Sequence, residues 1–410
     1  MTPEFAEAMR RALDQTRASN VMQAMQTIQC ALADKYTTSK TTCRDTASAQ
    51  AEPHQRLIEH KAGRPDIDPI AASVLSSKPT PQRSVGEMVK RFGASRLGGE
   101  ANLLTDFKAL RRKRRRPPPP IPEGAQFLGH NFTTEAGSRQ YKLYIPACLP
   151  EESRGMVVML HGCMQDPDDF ASGTNMNALA EAHGLLVVYP EQSHEANPSA
   201  CWNWFRPNDQ IRGKGEPAII AGIARETASA FGIGREQSYI AGLSAGGAMA
   251  VIMAETYPEL FAAVGVHSGL AYRSASDLPS AFAVMKGKAR GDPGASARRR
   301  SHVKGFVRMV VFQGSADRKV DPSNAEKIFS AGTKQVPDGK ARLERGESAG
   351  GRPYTRTIIT APDGDPALEF WLIEGAGHAW SGGQKSGSYT DPAGPDASAE
   401  MIRFFLKHSL

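Results

Sequence analysis

Three side chains in this sequence could together transfer an acyl group: Ser244, Asp317 and His378. An alkyl hydroxyl is a poor nucleophile at neutral pH. It needs a nearby imidazole to take its proton, and the imidazole needs a carboxylate to fix its tautomer. Ser244 lies in Tyr239-Ile240-Ala241-Gly242-Leu243-Ser244-Ala245-Gly246-Gly247-Ala248-Met249, between a short β run and an apolar helical run. A serine in Gly-x-Ser-x-Gly at such a junction sits on a sharp turn that lifts its hydroxyl clear of the sheet. The bland alternative is a glycine-rich strand-to-helix loop with no chemistry, and the other two residues weigh against it. Asp317 closes Gln313-Gly314-Ser315-Ala316-Asp317, directly after the apolar run Val307 to Phe312. His378 stands in Glu374-Gly375-Ala376-Gly377-His378-Ala379-Trp380, directly after Glu369 to Ile373.

Each residue then has a role. Ser244 attacks, His378 is first the base and later the acid, and Asp317 orients His378. Asp321 competes for the place of the acid, but Asp317 follows its strand end more closely. His161 and His267 also end strands, yet both precede the acid in the chain and read as structural. An oxyanion hole needs two backbone N–H groups aimed where negative charge develops. Ala245, next to the nucleophile, supplies one; Cys163, in the loop after an earlier strand, supplies the other.

These loops need strands to carry them. Phe127 to Phe132 and Arg139 to Ile145 read as an antiparallel pair. Met156 to Leu160, Leu185 to Pro190, Ser238 to Ala241, Ala262 to His267, Val307 to Phe312 and Glu369 to Ile373 are short apolar runs. Helical patterns at Phe170 to His183, Ala218 to Phe231 and Ala248 to Tyr257 separate some of them. Such alternation predicts an α/β fold with a mostly parallel sheet and helices on both faces, with catalytic loops at the carboxyl ends of the strands. The chain order Ser, Asp, His is that of an α/β-hydrolase.

The catalytic pattern occupies residues 123–410. Residues 1–122 differ: they carry a net charge of +9, against −2 for the remainder. Glu4 to Asp34 has helical periodicity, and Thr37 to Pro81 is polar and reads as a flexible linker, so a largely disordered extension is expected. It ends in six consecutive basic residues, 111–116, and four prolines, 117–120. Like charges keep such a run solvated, and the prolines hold it extended. The run suits attachment to a granule, an anionic surface or an acidic partner. No aromatic residue interrupts it, so specific nucleic-acid recognition is not expected. No apolar run is long enough to span a membrane. The first residues do not read as a secretory signal, which favours the cytoplasm. No metal-ligand spacing or phosphate-cradling loop is present, so neither a metal nor another cofactor is expected.

Four stretches together resemble the polyhydroxybutyrate depolymerase esterase family: Leu160-His161-Gly162-Cys163-Met164-Gln165, Cys201-Trp202-Asn203-Trp204-Phe205, Gly242-Leu243-Ser244-Ala245-Gly246-Gly247 and Gly377-His378-Ala379-Trp380-Ser381-Gly382-Gly383. The run Gly387 to Ala397 adds to the likeness. The resemblance covers roughly residues 124–410 and implies an α/β-hydrolase that cleaves short-chain hydroxyalkanoate polyesters or related esters by an acyl-enzyme route. Feruloyl and acetylxylan esterases are among the relatives, and fold alone does not choose the substrate. Because the resemblance puts the loops of Cys163 and Cys201 beside the site, a disulfide between these cysteines is expected. Trp202, Trp204, Phe205 and Trp380 are the aromatic candidates for a substrate cleft, with Trp380 first and Trp202 second. Two other readings stand beside this one: a peptidase on the same fold, and an inactive binding protein that works through its extension.

Overall fold

The computed structural model describes residues 118–148, 155–288 and 306–406, besides Glu7. Apart from Glu7, the helix and linker expected in the first 117 residues lie outside the described residues.

A ten-stranded sheet forms the frame. Strands β1 (Gln126–Thr134) and β2 (Gly137–Ile145) make an antiparallel hairpin that pairs through β2 with β4 (Leu186–Pro190). The parallel middle runs β4, β3 (Met156–Leu160), β5 (Ser238–Leu243), β6 (Ala263–His267), β7 (Arg308–Gly314) and β10 (Pro366–Ile373). Two further antiparallel strands, β9 (Pro353–Thr360) and β8 (Lys340–Glu347), extend the far edge.

The middle strands are mostly apolar because both faces are covered, and successive side chains point to opposite sides. Val158, Ile240, Val264 and Val311 enter one core with α3 (Gly215–Ala230), α4 (Ala245–Thr256), α5 (Leu278–Met285) and α6 (Ser323–Thr333). Val157, Tyr239, Ala263 and Val310 enter the other, with α1 (Pro167–Thr174), α2 (Met176–His183) and α7 (Ala397–Phe405). Burying one of these valines or Ile240 fully stabilises the fold by about 1.5–3 kcal/mol.

Two expectations need correction. The helix read from Phe170 to His183 is two helices, broken at Asn175, whose left-handed backbone (φ 54°) ends α1 before α2 begins. Asparagine tolerates that conformation because its short amide can bond locally. The hairpin β8–β9 was not expected. Lys340–Glu347 is a charged edge strand, mostly exposed, and carries no apolar alternation to read.

Candidate active site

Ser244 is the first residue beyond β5 and the N-cap of α4, at φ 57° and ψ −116°. A non-glycine residue at positive φ is strained, and such strain persists only where surroundings enforce it. The enforcement is visible. The Ser244 N–H donates to His267 O at 2.9 Å. A Cβ at Gly246 would lie 2.0 Å from Leu160 O, and one at Gly242 would lie 2.4 Å from Gly246 C. The motif glycines are therefore required by the approach of α4 to β3 and β5.

Asp317 and His378 come together. Asp317 Oδ2 accepts from His378 Nδ1 at 2.7 Å. Asp317 Oδ1 accepts from the N–H groups of Lys319 (2.8 Å) and Val320 (2.9 Å), and Gln313 Nε2 donates to Oδ2 at 3.2 Å. Burial pushes this carboxyl up, but the His378 hydrogen bond, the His378 charge and the two backbone donors outweigh it and hold the group below the usual carboxylate range. Asp321 instead serves the start of α6, where its Oδ1 accepts from Ser323 N at 3.1 Å. No hydrogen bond joins Ser244 Oγ to His378 among the described residues. Nucleophile–base contacts of this kind are often long before substrate binds.

The loop after β3 faces the elbow. Cys163 and Cys201 form a disulfide, Cα–Cα 4.2 Å. Gly162 N donates to Gln165 Oε1 at 2.9 Å and Met164 N to Ser199 O at 2.8 Å. The Cys163 N–H between them makes no hydrogen bond to a described residue. Ala245 is the first residue of α4, where backbone N–H groups lack intrahelical partners.

A buried polar network fixes this loop from behind. His161 Nδ1 bonds to Gly162 O at 2.8 Å, and Nε2 accepts from Gln192 N at 3.1 Å. A backbone N–H only donates, so Nε2 is unprotonated, and burial lowers the His161 pKa in the same sense. Gln192 Nε2 donates to Cys201 O at 2.8 Å and to Glu216 Oε1. Glu216 also accepts from Asn203 N (2.7 Å) and Asn203 Nδ2 (2.6 Å). Burial, then the charge of Asp209, push its carboxyl up to about 7. Neither Gln192 nor Glu216 was singled out in the sequence, because a lone Gln or Glu carries no signal until the chain is folded.

The aromatic expectation changes. Trp380 is 1% exposed; it donates from Nε1 to Ser398 Oγ at 3.0 Å and meets Phe170 edge-on at 5.5 Å. Trp202 is wholly buried and donates to His161 O at 3.1 Å. Both rings are buried among the loops rather than exposed beside Ser244. Trp204 and Phe205 are buried too, and pack edge to face at 5.7 Å. Trp380→Ala is therefore expected to act on stability, by about 3–5 kcal/mol. Denaturant unfolding checks this: a folded variant of unchanged stability, with a raised KM for long-chain esters only, would restore the cleft assignment.

The sheet order, the elbow and the hydrogen-bonded Asp–His pair at neighbouring strand ends define an α/β-hydrolase. Residues 139–336 match the family described as Esterase PHB depolymerase, so the resemblance carried by the sequence motifs stands. The poly(3-hydroxyalkanoate) depolymerase C of Paucimonas lemoignei is 32% identical over 60% of this chain and 60% of its own length. The probable acetylxylan esterase A of Aspergillus clavatus is 30% identical over 44% of this chain and 61% of its own length. The chain thus spans about three fifths of these curated relatives. In fold, it is similar to the acetyl xylan esterase from Aspergillus awamori: TM-score 0.55, 22% identity, covering 68% of this chain and 98% of that one. No helix among the described residues is long and apolar enough to cross a membrane.

Proposed function

We propose that this protein is a serine ester hydrolase acting on short-chain hydroxyalkanoate polyesters or their oligomers. The observation that carries the reading is the strained Ser244 elbow two strands from a hydrogen-bonded Asp317–His378 pair. Ser244 Oγ attacks the ester carbonyl carbon while His378 Nε2 takes the hydroxyl proton. Asp317 keeps the imidazole proton on Nδ1, so Nε2 is free to accept. The carbonyl oxygen, now negative, is held by the N–H groups of Ala245 and Cys163. Collapse breaks the bond to the alcohol oxygen, which leaves with the proton from His378. Water then attacks the acyl-enzyme while His378 takes its proton; the bond from the acyl carbon to Ser244 Oγ breaks, Oγ takes that proton back from His378, and the acid leaves.

The likeness to acetylxylan esterases supports a second reading, a carbohydrate ester substrate. A panel with p-nitrophenyl butyrate, hydroxybutyrate oligomers, acetylated xylan, a feruloylated sugar and an amide analogue tests both. Highest kcat/KM on the hydroxybutyrate oligomers is the expected result. Preference for a sugar ester would replace the substrate, turnover of the amide alone would make the protein a peptidase, and no turnover at all would sink the enzyme reading.

We read residues 1–122 as an attachment segment for an anionic surface, on the strength of the basic run 111–116. Deleting them is expected to leave p-nitrophenyl butyrate turnover within about twofold, because the catalytic region has its own core. Binding to anionic vesicles should be lost. A folded deletion variant without esterase activity would put the boundary in the wrong place. The Cys163–Cys201 disulfide supports an oxidising compartment rather than the cytoplasm.

A further inference from the structure

His267 is a buried titratable group that the acyl-transfer steps leave unused. It ends β6, level with Leu243 on β5 and Phe312 on β7. It is therefore flanked by the strand that delivers the nucleophile and the strand that delivers the acid. Its main-chain oxygen accepts the Ser244 N–H at 2.9 Å. Its ring Nε2 accepts the Ser381 N–H at 3.0 Å, three residues beyond His378. The ring stacks on Trp380 (centroids 5.2 Å, 26°) and on Phe312 (5.9 Å, 12°). One residue thus holds both the elbow and the histidine loop.

The proton count follows from the partners. A backbone N–H only donates, so Nε2 must be unprotonated and the ring proton sits on Nδ1, 3.2 Å from Ser268 Oγ. Burial first, and the nearby His378 second, push this histidine down to about 3, with Asp317 opposing them. The acceptor at Nε2 is therefore present wherever the enzyme would work.

The other side of the loop is tied as well. Ser315 N donates to Ile373 O at 2.9 Å, Ala316 N to Ala376 O at 3.0 Å, and Gly375 N to Ser315 Oγ at 2.8 Å. These bonds fix the entry of the loop to the acid strand. The exit, at Trp380 and Ser381, has the His267 ring. Gly375 and Gly377 alone would leave His378 free to swing. With both ends held, its approach to Ser244 is set by the fold.

We infer that His267 is a positioning residue for the proposed hydrolysis, a ring acceptor that registers the His378 loop against the Ser244 elbow. The inference rests on the proposed function. Wild-type turnover of p-nitrophenyl butyrate, with labelling of Ser244 by a fluorophosphonate, tests that reading first and separately.

The test of the inference compares two variants. His267→Phe keeps a ring for stacking and removes the acceptor; His267→Gln returns an acceptor near the Nε2 position. His267→Phe is expected to lower kcat about 100-fold, the order that a misplaced catalytic group costs. KM should stay within about threefold, and fluorophosphonate labelling of Ser244 should slow in parallel. His267→Gln is expected to recover at least tenfold of the kcat loss. A wild-type kcat in His267→Phe would overturn the inference. Equal losses in both variants, in step with their loss of thermal stability, would also overturn it, since they would mark a purely structural residue. A third measurement needs no variant: ¹⁵N-histidine NMR of the wild-type protein should find His267 as the Nδ1–H tautomer, without titration between pH 5 and 9. A protonated Nε2, or a titration in that range, would rule out the acceptor.

Discussion

Ser244→Ala is expected to lower kcat for a butyrate ester by about five orders of magnitude, on the order of 7 kcal/mol of barrier. The substitution removes the attacking oxygen and nothing that the fold depends on. The Ser244 side chain caps no N–H of α4, and its strained φ of 57° is imposed through the backbone by His267 O and the close glycines. Alanine keeps that backbone and those contacts, so the melting temperature should shift by no more than a few degrees. Residual turnover above the uncatalysed rate should survive, because the Ala245 and Cys163 donors still meet an oxyanion formed by direct attack of water. Stopped-flow turnover with p-nitrophenyl butyrate, together with mass spectrometry for an acyl adduct, checks both parts. Activity within tenfold of wild type in a folded Ser244→Ala protein would show that another group is the nucleophile.

The parallel core and its loops could be read from the sequence because both rest on short-range patterns. Apolar runs such as Met156–Leu160 and Leu186–Pro190 stand between polar loops. Gly242, Ser244 and Gly246 have a spacing that steric contact at the elbow demands. Features that depend on distant chain segments were not legible. His267 read as structural, and its tie to Ser381 spans 114 residues, which no local spacing encodes. Gln313, just before the acid loop, shows no role in sequence until the fold sets its amide against Asp317. Trp380 sits two residues after His378 and so looked like part of a cleft. On an extended segment residues two apart would share a face, but the chain turns here, Ala379 N donating to Gly377 O at 3.0 Å before β11 (Trp380–Ser381), and the indole packs against His267 and Phe170. Proximity in sequence to a catalytic residue therefore said little about which way the ring faces.

Asp317→Asn is expected to cost about 10⁴-fold in kcat while Asp321→Asn stays within a few fold, and the cause is the direction of hydrogen bonds. Asp317 Oδ1 accepts from two backbone N–H groups, those of Lys319 and Val320. An asparagine must place its own oxygen there, since an amide NH₂ facing two N–H donors would leave all of them unpaired. Its NH₂ group then takes the position of Oδ2, opposite His378 Nδ1. The imidazole can meet it only by presenting an unprotonated Nδ1, which moves the ring proton to Nε2. Nε2 then has no lone pair for the Ser244 proton, and general-base catalysis fails. Gln313 Nε2, which donates to Oδ2 in the native site, would also face a donor and adds a stability loss of about 1–3 kcal/mol. Asp321 offers the contrast. Its Oδ1 accepts from Ser323 N at the start of α6, and an asparagine oxygen can do the same. Steady-state kinetics on the two variants, with the downfield proton resonance of the His378 Nδ1–H as a second readout, checks the reasoning. The resonance should vanish in Asp317→Asn and persist in Asp321→Asn; equal kinetic losses in the two would remove Asp317 from its place as the orienting acid.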